Sequence, residues 1–72
     1  MIEQIKLLDV VALIENLPEY DLHCGNVGTI VEILAPNVYE VEFSDDEGQT
    51  YAIQALSAIQ LMVLHYHILK AA

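Results

Sequence analysis

The clearest pattern in the chain is the alternation Val38-Tyr39-Glu40-Val41-Glu42-Phe43, which sets Tyr39, Val41 and Phe43 on one face and Glu40 and Glu42 on the other. A period of two belongs to a strand with one buried and one wet face. Val27 to Leu34 predicts another strand, with Val27, Thr29, Val31 and Ile33 on one side and Glu32 on the other. Ala35-Pro36-Asn37 joins these two strands tightly, because Pro ends strand pairing and Asn tolerates left-handed geometry. Ser44-Asp45-Asp46-Glu47-Gly48 is a hairpin loop, and Gln49 to Leu56 supplies the strand beyond it. Upstream, the β-branched run Leu7 to Ile14 predicts a first strand, with helix as the alternative because Leu, Ala and Glu also favour helices. Glu15 to Asn26 mixes acids, Asn, Pro and Gly into a long loop. It ends at a turn bracketed by Gly25 and Gly28, where at least one glycine is expected at positive φ. Ser57 to Gln60 suits a single helical turn before a last strand from Leu61. Ala58 to Lys70 is the one stretch where a longer helix competes.

Five short strands, a long loop after the first and tight hairpins in the middle predict an all-β fold, a small closed or nearly closed barrel. Closure would also remove the edges that make a small flat sheet prone to aggregation.

Composition adds a constraint. The 72 residues (8.0 kDa) fit one small domain, yet 56% are apolar or aromatic and only 18% charged, against about 25% charged in an average soluble domain. One small core cannot hide so many apolar side chains, so some belong on the surface, facing a partner or a second copy. The charge is equally lopsided, with eleven Asp and Glu against Lys6 and Lys70, a net of -9. Nucleic acid and anionic membranes are disfavoured, because phosphate binding draws on Lys and Arg; a basic protein is the expected partner. A single cysteine, Cys24, excludes an internal disulfide, and the acidic N-terminus does not resemble a signal peptide. The longest apolar run, Leu56 to Leu69, is broken by Gln60, His65 and His67. These features fit a soluble cytoplasmic chain.

Several residues around the strand pattern resemble a known family. Ile5 to Leu13, the Leu17-Pro18-Glu19 step, Gly25-Asn26-Val27-Gly28-Thr29-Ile30-Val31-Glu32, Val38 to Phe43 and Gly48 to Ala52 together resemble the small bacterial family known as domain of unknown function 4926. The resemblance runs from about Ile5 to Leu64 and implies an SH3-like barrel. Gly25-Asn26-Val27-Gly28-Thr29-Ile30-Val31 is similar to the turn and strand of KOW-type modules in the same fold group. The chain from about His65 onward lies beyond the resemblance, and a single domain with a C-terminal extension is expected.

For chemistry, His65 and His67 lie two apart, so on a strand they would share a face and could chelate a metal, with His23 and Cys24 as further donors. Without a fixed third ligand the pair reads instead as polar alternation, and neither metal nor other cofactor is expected. Glu40 and Glu42, roughly 7 Å apart by strand rise, have a spacing that paired carboxylates use, but a solvated outer face explains them as well. No enzyme activity is expected, since a barrel this small is filled by its own side chains. Cys24 reads as a small structural residue. Tyr39 and Tyr51 read as core or half-core, and Tyr20 in the long loop as an exposed contact. The candidate docking residues are therefore Glu40, Glu42, Asp45, Asp46 and Glu47, with Tyr20. The expected function is a noncatalytic, acidic protein-binding module for a basic partner, in one form an antitoxin or immunity-type inhibitor. The alternative is a structural accessory subunit, or a homo-oligomer, held through the apolar segment Leu61 to Leu69.

Overall fold

The computed structural model describes residues 4–65. Five antiparallel strands form one sheet: β1 (Val10–Leu13), β2 (Val27–Ala35), β3 (Val38–Ser44), β4 (Thr50–Ser57) and β5 (Leu61–Val63), in the order β4-β3-β2-β1-β5. A long loop follows β1, two tight hairpins join β2, β3 and β4, and a 3-10 turn at Ala58–Gln60 sends β5 back beside β1. This is the SH3-like arrangement. Bulges between Ile30 and Glu32 and between Ile33 and Ala35 bend β2, so the sheet curls around its own contents.

Local chemistry places each turn. Asn37 closes the β2–β3 connection at φ 63°, and Gly25 carries the turn into β2 at φ 92°. Ser57 starts the 3-10 turn: its Oγ accepts the Ile59 N–H, while Gln60 Oε1 accepts the Ser57 N–H at 2.9 Å. The Gln60 side chain also donates to Glu15 Oε2 at 3.0 Å, tying this turn to the start of the long loop.

Phe43, Leu13, Leu22, Ile30, Val11 and Val41 are fully buried at the centre, with Ile5, Leu17, Tyr39, Leu56 and Leu61 around them. The β3 alternation places its three apolar residues inward as expected. Two other expectations change. In β2 the inward positions opposite Phe43 and Val41 are Gly28 and Ile30, while Val27 is exposed. The register with β3 sets this phase, through a glycine that no hydropathy pattern marks as buried, and the bulge after Ile30 then puts Val31 and Ile33 out of step with Val27 and Thr29. The first strand is also shorter than Leu7 to Ile14. Leu7 and Leu8 form an exposed turn, with Leu8 at φ 70° and 70% exposed, where a side chain is sterically disfavoured.

The long loop is a folded element. Leu17 and Leu22 pair across a bridge enclosing the 3-10 turn Pro18–Tyr20, and both side chains are buried. Leu61 is likewise buried, Met62 is exposed, and Val63 and Leu64 are half-buried. The rest of the expected apolar C-terminal surface, His67 included, lies outside the described residues.

Candidate functional site

The register brings three carboxylates together on the outer surface of the sheet. Glu40 lies directly opposite Glu32 on β2, and Glu42 lies two residues along β3 on the same side. Side chains directly opposite in an antiparallel pair have Cβ atoms about 4.5–5.5 Å apart, so this pairing costs stability through like-charge repulsion. Among the described residues no lysine or arginine lies within ion-pair distance of the three; the ion pair present, between His23 Nε2 and Asp21 Oδ1 at 3.6 Å, belongs to the long loop. The row continues outward as Glu32, Glu40 and Ala55, and the next as Thr29, Glu42 and Ile53. Glu32 was not singled out from the sequence, although its place opposite the apolar face of its strand was the signal that could have found it.

The hairpin tip beyond Glu42 carries Asp45, Asp46 and Glu47, all exposed. Asp45 differs from its neighbours, because its Oδ1 accepts both the Glu47 and the Gln49 N–H at 2.9 Å. It shapes the turn, leaving Asp46 and Glu47 to project charge. Replacing Asp45 with Ala is expected to cost about 1 kcal/mol, and with Asn clearly less, since the amide oxygen can still accept both bonds. Thermal melts of the two variants test this, and equal losses would deny Asp45 its turn-shaping role.

Other sequence candidates disperse. Tyr20 sits exposed at the end of its 3-10 turn, in the long loop between β1 and β2 rather than on the carboxylate-bearing strands. Tyr51, expected in or near the core, is 49% exposed, because it falls at the bulge between Phe43 and Ser44 and only leans on the Phe43 ring at 6.4 Å. Cys24 is exposed rather than structural in the core, its backbone N–H held by Asn16 Oδ1 at 2.8 Å. His65 lies just past β5 and is exposed. No group of three or more His, Cys, Asp or Glu among the described residues is placed to hold a metal ion.

An open groove of about 370 Å³ lies beside the β2–β3 turn, walled by Ile5, Ile33, Pro36, Asn37 and Tyr39. Its walls are apolar and amide groups. Among the described residues no helix is long and apolar enough to cross a membrane.

These features define a small SH3-like barrel with an acidic outer face. The chain belongs to the family described as Domain of unknown function (DUF4926), whose model matches residues 7–63. No curated protein and no solved structure matches the chain significantly.

Proposed function

We propose that this protein is a noncatalytic binding module that docks a basic protein through the acidic outer face of β2 and β3 and the adjoining hairpin tip. The observation that supports this best is the direct pairing of Glu32 with Glu40, beside Glu42, with no cation against them among the described residues. A fold under no pressure to keep charge there would relieve the repulsion by any neutral substitution. A cationic partner turns the same arrangement from a cost into an attraction. The net charge of -9 extends that attraction over the whole molecule, in keeping with action on a basic protein in the cytoplasm and against action on nucleic acid. Where the partner is an enzyme with a basic active-site surface, such a module is an antitoxin or immunity-type inhibitor.

The test is kinetic. Charges at a rim act mainly on encounter, over a Debye length of about 8 Å at physiological salt. With a partner captured from the native cell, the double variant Asp46→Lys, Glu47→Lys is expected to slow association about tenfold at low salt and to flatten its salt dependence. Asp45 is left intact so that the turn survives. An association rate equal to that of the parent would mean that these acids serve solubility alone.

A further inference from the structure

Among the described residues the sheet is curled but not closed by hydrogen bonds: β4 stands at one edge of the order β4-β3-β2-β1-β5. Its free side can be mapped. Ala58 donates its N–H to the Asn37 carbonyl at 2.9 Å. Stepping by two along the register makes Tyr39–Leu56, Val41–Gln54 and Phe43–Ala52 the hydrogen-bonded pairs. Ile53 and Ala55, between them, therefore turn both N–H and C=O away from β3. The next such amide, that of Ser57, is already taken by Gln60 Oε1 at 2.9 Å. An open stretch thus ends at a capped residue.

Natural sheets protect such edges with charges, prolines or very short strands. Thr50–Ser57 is eight residues long and contains neither a charged residue nor a proline. Its outward side chains are Ile53, 54% exposed, and Ala55. Behind Ala55 lies Glu40 and then Glu32; behind Ile53 lies Glu42.

We propose that β4 takes up an extended segment of the basic partner as a sixth strand, placing a Lys or Arg opposite Ala55 and an apolar residue opposite Ile53. Neighbouring strands lie about 4.8 Å apart, so a long cationic side chain crosses the alanine methyl and meets Glu40. The backbone edge supplies affinity that does not depend on sequence, and the alanine gap in front of the glutamates supplies the preference for a cation. A second copy of the chain fits less well, since pairing two β4 edges would bring together two molecules of net charge -9 with their glutamate rows side by side. This inference rests on the acidic face being the docking surface.

The experiment uses the full chain and a nine-residue synthetic peptide that alternates threonine with one arginine and one valine, set two apart on one face. A control peptide carries glutamate for the arginine. Amide hydrogen exchange is followed by NMR. Slowing of the Ile53 and Ala55 amides by at least tenfold with the arginine peptide alone is the expected result. Ala55→Arg, which fills the gap with its own cation, should weaken that peptide at least tenfold while leaving the melting temperature within a few degrees. Binding of the arginine peptide with both amides unchanged overturns strand addition and leaves the acidic docking surface standing. Protection of the two amides without peptide, whether in a dimer or within the monomer, also overturns it, because the edge is then already occupied. Failure of any peptide to bind at millimolar concentration does the same.

Discussion

Phe43→Ala is expected to leave the protein largely unfolded at room temperature. Phe43 is fully buried near the end of β3, packs against Tyr51 at a ring separation of 6.4 Å, and lies opposite Gly28 on β2. Removing a buried phenylalanine costs about 3–5 kcal/mol, part transfer energy and part cavity. Domains below about 70–80 residues rarely draw more than about 3–5 kcal/mol from a single core, so the loss matches the whole reserve. The bend of the sheet leaves little freedom to collapse the cavity, because β2 and β4 are both paired to β3 beside it. Phe43→Leu keeps most of the volume and should cost about 1.5 kcal/mol or a little more. Far-ultraviolet dichroism during a urea titration measures both. A loss under about 1 kcal/mol for the alanine variant would mean that Phe43 is not the centre of the core.

The strands were legible where the alternation runs uninterrupted. Tyr39, Val41 and Phe43 are inward and Glu40 and Glu42 outward because no bulge falls within that part of β3. The 3-10 turn was legible for a different reason: Ser57 and Gln60 carry their own capping chemistry, which is local in sequence. What was misread depends on partners distant in the chain. Val31 and Ile33 keep a period of two with Val27 and Thr29, yet bulges against β3 put them out of step, and only the paired strand reveals this. Leu17 and Leu22 sit among acids, Asn and Pro, and their burial comes from a bridge between them rather than from any periodic run. The same holds for the acidic face. Glu40 and Glu42 are visible as a pair on one strand, whereas the opposition of Glu32 to Glu40 exists only once the register is set. A closed or nearly closed barrel has few edges or none; among the described residues β4 keeps one, and its exposed Ile53 and Ala55 give the acidic surface an apolar border.

Gly28 shows how a residue with no hydropathy can be a core position. The sequence marks it only as the second glycine of a turn, but its backbone is not in the left-handed region; Gly25 carries that role at φ 92°. A Cβ at residue 28 would stand 2.7 Å from Val41 Cγ1, 2.9 Å from the Glu42 carbonyl oxygen and 3.0 Å from Phe43 Cδ1. Two of these neighbours belong to fully buried side chains and one to the backbone of the paired strand, so none can move freely. Gly28→Val is therefore expected to cost about 3 kcal/mol, lowering the melting temperature by roughly 12–24 °C in a domain of this size. Gly25→Val should cost less, about 1–2 kcal/mol, because open space surrounds that position and only backbone strain opposes the side chain. A double-mutant cycle separates the two causes. Val41→Ala removes the Cγ1 that a new Cβ meets first, so Gly28→Ala should be less damaging in that background, with a coupling of about 1 kcal/mol. Rescue stays partial, because the Glu42 carbonyl remains in place, and no such coupling should link Gly25 to Val41. A Gly28→Val variant melting within about 2 °C of the parent would show that β2 and β3 part easily here, and close approach of the two strands would then not be what keeps residue 28 a glycine.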